Sequence, residues 1–461
     1  MLSIFCLTFK TSLKIYAFLH EKITFPYNIV SELKERVIFL EIYTVRAGDT
    51  LYGVSRRFGV PANLLAIWNS VPPPYDLVVG QALLVLSPKA LYTVREGDTY
   101  VSISARTGVP LRTLYAFNPS LYGGTAQLYA GQTLVLSFAE KPEARADFTG
   151  YAYPFIESKV LFWGLPYINA LVPFTYGFTE SGALVPLDDG ALLAAAESVG
   201  TSALLHLSTL TENGSFSSER ASALFKSRGA MDTLARNVLD EIEEKGYAGL
   251  DIDFEFIPAE DALAYADFIS RLRALLAPRG KKVIAALAPK TRADQPGLLY
   301  EGHDYAAVGA AADAVLLMTY EWGYTYGPPM AVAPINAVRS VLDFAVSVIP
   351  REKIYMGLPN YAYDWLLPYK QGYSRATSIG NDEALAIARR FGAEIKFDES
   401  AKTPYFSYYN GGEQHEVWFE DARSMAAKFA LIREYGFAGG GYWNMMRPFF
   451  QNFLMQFLMF Y

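Results

Sequence analysis

From residue 148 onward the chain alternates short apolar, β-rich runs with stretches whose apolar residues recur every three or four positions. Alternation of this kind marks βα units feeding a parallel sheet. Candidate strands occupy residues 148–153, 170–176, 202–207, 249–255, 282–288, 314–320, 353–358 and 439–443. Eight strands spread over roughly 300 residues suit an α/β fold of the (β/α)8 barrel type. Met231, Leu234, Val238, Leu239 and Ile242 predict a helix leading into the fourth strand, and Leu263, Phe268, Ile269, Leu272, Leu275 and Leu276 predict one leaving it. Between the last two strands, 384–391 reads as helix, but 394–397, 405–409 and 416–419 read as short strands, with Asn410-Gly411 a hairpin turn. A small α+β insertion over about residues 365–423 is therefore expected after the seventh strand.

Ahead of the barrel, expected over 147–461, the sequence repeats itself. The string YTVRAGDT beginning at Tyr43 returns as YTVREGDT beginning at Tyr92, Gly59-Val60-Pro61 returns as Gly108-Val109-Pro110, and Asn69 returns as Asn118. Each copy closes on Gly-Gln and an apolar run, so two homologous modules are read, over 41–87 and 90–138. Within a copy the order is strand, helix, helix, strand: a turn whose Asp or Thr caps the first helix, a proline in the first turn of the second, and an Asn at its end. Residues 139–147 are polar with a proline and read as a linker.

One strand breaks the apolar rule. In 249–255, Asp251, Asp253 and Glu255 stand two residues apart, so strand alternation sends all three to one side and Leu250, Ile252 and Phe254 to the other. Three acids on one face repel one another and lose hydration, which suits a proton held at raised pKa; a solvated acidic edge or a hard-cation site is the alternative. Barrel enzymes react at the carboxyl ends of their strands, which puts Glu255 nearest substrate, with Asp253 and Asp251 deeper and favouring its protonated form.

Composition narrows the classes. A net charge of −7 and a pI near 5.4 argue against nucleic-acid binding. The single cysteine, Cys6, excludes an intrachain disulfide, and His20, His206, His303 and His415 show no ligand-like spacing, so neither metal nor cofactor is implied. No apolar run is long enough to span a bilayer. The 32 Tyr and 30 Phe fit either aromatic platforms for sugar rings or Tyr-rich packing. Residues 1–39 read as a non-native or disordered extension: Lys10 and Lys14 interrupt its apolar part, and Lys34-Glu35-Arg36 is encodable as a ribosome-binding sequence about nine nucleotides ahead of Leu40. Translation is expected to begin at Leu40, and an intact mass that includes Met1 would refute this. The aromatic tail, 449–461, is expected to pack as a last helix on the barrel, with an exposed sticky surface for assembly as the alternative.

The repeat resembles the lysin motif, a βααβ module that binds N-acetylglucosamine glycans such as peptidoglycan and chitin. The resemblance implies a sugar groove formed by Gly48, Asp49, Thr50 and the stretch from Asn69 in the first copy, and by Gly97, Asp98, Thr99 and 118–120, with Asn118, in the second. The acidic strand resembles the DGxDxDxE signature of glycoside hydrolase family 18, with Ala248 in place of the first Asp. Met318-Thr319-Tyr320-Glu321, Gly357-Leu358-Pro359-Asn360-Tyr361 and Gly440-Gly441-Tyr442-Trp443 resemble three further strands of that family. The resemblance implies substrate-assisted retention, the exception to the two-carboxylate scheme. Glu255 would be acid and then base, Asp253 would orient the substrate acetamido group, and Tyr320 would donate to its carbonyl. Asp251, Met318, Glu321, Asn360, Tyr361 and Trp443 would contact substrate. Lysin-motif pairs joined to this barrel resemble spore-germination and cortex-lytic glucosaminidases of endospore-forming bacteria. Cortex peptidoglycan is thus the expected partner, spore coat proteins are candidate partners, and the spore surface is the expected location without a signal peptide. A chitinase and a silent glycan-binding coat protein are the alternatives.

Overall fold

Eight parallel strands close into a barrel: Asp147–Ala152, Ala170–Pro173, Ser202–Ser208, Gly249–Asp253, Lys282–Leu287, Ala314–Leu317, Ile354–Pro359 and Gly439–Trp443, in chain order, with the eighth paired back to the first. The computed structural model describes residues 40–119, 128–140, 142 and 144–461; the expected extension 1–39 and residue 120 of the second groove lie outside them. All eight expected strands are present. The predicted flanking helices form as Arg228–Lys245 and Ala262–Leu276, although Leu263, counted toward the second one's apolar face, is exposed.

Side-chain alternation holds through the acidic strand. Leu250, Ile252 and Phe254 are fully buried on the outer side, where Phe254 stacks on Phe178 and Tyr265 with ring centroids 5.3 and 5.5 Å apart. On the inner side, Tyr151, Val172, Leu204 and Leu316 fill the barrel beneath the acids.

The insertion is a five-stranded antiparallel sheet, ordered Thr377–Ile379, Ala362–Leu367, Glu413–Trp418, Thr403–Asn410 and Lys396–Asp398, with helix Asn381–Phe391 against it. It begins directly after the seventh barrel strand, at Ala362, earlier than the sequence pattern suggested. The strand Ala362–Leu367 escaped because Leu366 and Leu367 continue an apolar run where a solvent-facing strand would alternate.

Both repeats fold as βααβ units. In the first, Glu41–Thr44 pairs antiparallel with Ala82–Val85 around helices Leu51–Phe58 and Ala62–Trp68; in the second, Pro88–Thr93 pairs with Thr133–Phe138 around Tyr100–Thr107 and Leu111–Phe117. Thr50 and Thr99 cap the first helix of each copy by accepting from Gly53 N and Ser102 N.

The aromatic tail is helix Phe450–Phe460, buried almost all round, so the exposed-surface alternative is not realised. It packs on the barrel and on both modules. Gln451 Nε2 donates to Asn69 Oδ1 at 2.7 Å and to Ala82 O at 2.9 Å, while Gln451 Oε1 accepts from Ala422 N at 2.8 Å. Phe457 meets Phe117 of the second module and Tyr167 under the barrel, at centroid distances of 5.7 and 6.0 Å. Arg112 adds bonds to Pro166 O, Ile168 O and the Tyr461 hydroxyl, and Arg423 reaches Gly80 O. Residues from Glu41 to Tyr461 therefore form one compact unit.

Candidate active site

At the carboxyl ends of the barrel strands lies a cleft of about 620 Å³. Asp253, Glu255, Met318, Tyr320, Glu321 and Trp443 line it together with Tyr153, Phe174, Phe216 and Phe256. The strand ends at Asp253, so Glu255 stands just past it, where the backbone turns and Phe256 takes φ +56°. Glu321 also sits in the left-handed region, at φ +68°. Such conformations cost a non-glycine residue about 1–3 kcal/mol and concentrate at functional sites.

The acids form a ladder of increasing depth. Asp251 is 1 % exposed and accepts the Tyr151 hydroxyl at 2.5 Å; burial raises its carboxyl to about 7 against that bond. Asp253 is pushed well above the carboxylate range by burial and by the charges of Glu255 and Asp251. Glu255 is raised by burial and by Glu321. Glu321 in turn is raised by burial and held back by hydroxyl bonds from Tyr361 and Tyr363. Tyr320 is held strongly protonated by burial and by the nearby acids, so its hydroxyl remains a donor. Glycine at 357 is required here: a Cβ would stand 2.7 Å from Tyr320 Cε1 and 2.5 Å from Leu317 O.

Three expected substrate contacts lie beneath the cleft. Asp251 faces the barrel interior. Tyr361 is buried and spends its hydroxyl on Glu321. Asn360 is buried and donates to Asn444 O and Arg447 O at 2.8 and 2.9 Å, which fixes the loop after Trp443. These residues shape the walls from behind, because their polar atoms are turned to protein.

In the modules the outcome divides. Gly48, Asp49 and Thr50, and likewise Gly97, Asp98 and Thr99, form tight surface turns, with Gly48 and Gly97 at φ +86° and +79°. Asp49 accepts from the Tyr43 hydroxyl and Arg46 N, and Asp98 from the Tyr92 hydroxyl and Arg95 N, which lowers the Asp98 carboxyl to about 2. Asp49 and Thr50 line a second cleft, of about 1060 Å³, whose far wall is the insertion helix with Arg389. Asn69 and Asn118 do not reach a groove. They are 2 % and 5 % exposed, and their amides bond Leu65 O and both polar groups of Leu84, or Leu114 O and both of Val135, pinning the second helix to the closing strand.

Sequence reasoning missed Tyr151, Tyr363 and His206. Tyr151 and Tyr363 looked like ordinary strand aromatics. His206 was one polar residue in the apolar string LLHLS, and only the parallel register that sets it opposite Asp251 reveals it.

Fold and site together define a barrel hydrolase whose cleft opens onto a buried carboxylate ladder. The chain belongs to glycosyl hydrolases family 18, whose model matches residues 209–447, and it carries two LysM domains, matched at 43–85 and 92–137. It is a glycoside hydrolase. It is 36 % identical over 417 residues to the cortical fragment-lytic enzyme of Bacillus anthracis, covering 90 % of this chain and 96 % of that protein. The corresponding enzyme of Bacillus subtilis strain 168 is 36 % identical over 429 residues, with 90 % and 97 % covered. Among solved structures, the spore cortex-lytic enzyme SleL of Bacillus megaterium QM B1551 superposes with a TM-score of 0.77 at 36 % identity, over 92 % of this chain and 98 % of that one.

Proposed function

We propose that this chain is a peptidoglycan N-acetylglucosaminidase that degrades spore cortex by substrate-assisted retaining hydrolysis. The observation that carries the reading is the ladder itself: Glu255 at the cleft, Asp253 and Asp251 below it, and the Tyr320 hydroxyl on the same wall. Glu255, kept protonated by burial, gives its proton to the glycosidic oxygen. The substrate's own acetamido carbonyl attacks the anomeric carbon and closes an oxazolinium ring, which frees the ladder from supplying a nucleophile. Asp253 accepts the acetamido N–H and balances the ring's positive charge, while Tyr320 donates to the carbonyl oxygen. Glu255, now ionised, takes a proton from water as it opens the ring. Trp443 forms the floor under the reacting sugar, with Met318 and Glu321 beside it. The surface turns of the modules hold the glycan, and similarity to cortex-lytic enzymes supports action at the spore.

Purified cortex and colloidal chitin digested in parallel, with products identified by mass spectrometry, test the substrate. Muropeptide fragments with N-acetylglucosamine at the reducing end are expected from cortex, and cortex whose sugar at the cleaved position lacks the N-acetyl group is expected to stay intact. Release from chitin alone would overturn the assignment.

A further inference from the structure

One titratable group touching the ladder has no part in the steps above. His206, on the third barrel strand, pairs with Asp251 in the parallel register and is fully buried. Its Nε2 lies 3.9 Å from Asp251 Oδ2 and 3.8 Å from Asp253 Oδ2, and forms no hydrogen bond. Asp251 Oδ1 and Asp253 Oδ1 are also buried without partners. Buried polar atoms are nearly always paired, so three on adjoining side chains without a protein partner single out this corner of the ladder.

The surroundings define what the ring can do. Asp251 and Asp253 face it from the fourth strand, Asp253 being in turn influenced by Glu255. Tyr151 packs edge-on from the first strand with ring centroids 5.5 Å apart, its hydroxyl already given to Asp251. After the second strand come Phe174, with centroids 4.7 Å apart, and Thr175, whose Oγ1 lies 2.6 Å from Nδ1. Ser208, on the ring's own strand, joins through Thr175. Burial lowers the imidazole to about 3, so the ring is neutral and the contacts with Asp251 and Asp253 are not ion pairs. A neutral imidazole carries one N–H and one lone pair. Tyr176 O and Ser208 Oγ also lie 3.0 Å from Thr175 Oγ1, but its contact with Nδ1 is the shortest, and a hydroxyl donating there leaves the ring's proton on Nε2.

We propose that His206 is a positioning residue for the hydrolysis: with Nδ1 held by Thr175, its Nε2–H serves Asp251 and Asp253 in turn, bonding whichever carboxylate carries the ladder's charge. The inference rests on the roles given to Glu255 and Asp253. Closing either gap to a normal hydrogen bond takes a movement of about 1 Å. With Asp253 turned to the ladder, the ring holds its charge. When Asp253 turns to the acetamido N–H, the ring passes to Asp251. An ionised carboxylate is thereby never left buried and unpaired, a state that is costly in an apolar interior.

The test compares His206→Leu, His206→Gln and Thr175→Val with the wild type and with Glu255→Gln, measuring kcat and KM against pH on cortex oligosaccharides. Leu removes the donor. Gln places an amide N–H near the position of Nε2, and Val removes the hydroxyl that fixes the ring. Loss of one bond to a charged group is expected to lower kcat in His206→Leu by roughly 10- to 100-fold, with KM within two-fold. Its acidic limb moves to higher pH, because losing a donor to the ionised form raises the ladder's pKa. His206→Gln is expected to recover most of kcat and to return the limb, and Thr175→Val to shift it in the same direction by less. A folded His206→Leu enzyme with unchanged kcat and limb, or a Gln variant as impaired as Leu, overturns the proposal. If the Leu variant does not fold, Thr175→Val decides: a shifted limb supports the proposal and an unshifted one overturns it. Failure of the underlying role of Glu255 is distinct, since it appears as an active Glu255→Gln enzyme.

Discussion

Glu255→Gln is expected to lower the rate of cortex cleavage by roughly 10²- to 10⁴-fold, the contribution of a placed general acid and base, while glycan affinity stays within about two-fold. Gln keeps the size and the hydrogen-bonding reach of the carboxyl group but cannot release a proton at neutral pH. The side chain at 255 stands at the mouth of the ladder, half-buried, with no hydrogen-bonded partner in the barrel that its replacement would strand. The cleft walls formed by Trp443, Phe216 and Phe256, and the module surfaces, are left in place. The wild-type pH profile carries the same signature. Glu255 must be protonated to start the reaction, so activity is lost on the alkaline side as pH passes its raised pKa, and Glu321 beside it extends the active range upward. Single-turnover rates and calorimetric titration with cortex fragments measure the two effects separately. Undiminished cleavage by the variant would remove Glu255 from the mechanism.

The second large effect concerns stability. Phe457→Ala is expected to destabilise the protein by about 3–5 kcal/mol, the usual cost of emptying a buried aromatic site. Phe457 is 6 % exposed and lies between Phe117, Tyr167 and Tyr461. Those neighbours belong to a module, to the barrel and to the terminal helix itself, so the cavity cannot be closed by one element moving in. Denaturant titration followed by tryptophan fluorescence measures the loss. Limited proteolysis of the second module is expected to accelerate in parallel, and a midpoint shift corresponding to less than about 1 kcal/mol would show that the helix is not the joint described here.

Much of this architecture is legible in the sequence. Short β-rich runs alternating with amphipathic helical stretches mark the barrel strands, and the acids of the fourth set it apart from the rest. The alternation of Asp251, Asp253 and Glu255 against Leu250, Ile252 and Phe254 located the ladder for the same local reason. What stayed hidden depends on contacts between distant segments. Asn69, Asn118 and Asn360 look like binding residues, since a motif position does not say whether an amide faces solvent or a neighbouring strand. His206 owes its place to strand register, and the tail helix, expected on the barrel, also contacts both modules through residues that no window of sequence contains. Asp251 illustrates the middle case: its side and its depth below Glu255 are readable from the strand, but its bond to the Tyr151 hydroxyl is not.

Gln451, Arg112 and Arg423 have a mechanical consequence. A tethered binding module searches for substrate with a local concentration set by linker length. Here the first module is bonded to the terminal helix through Gln451 and the second to the underside of the barrel through Arg112. Glycan gripped by a module is presented to the cleft at a distance set by the body of the protein, like stock held in a fixed jig. Inserting residues into 139–147 is therefore expected to leave that distance unchanged, and with it the spacing between a held sugar and the bond that is cut.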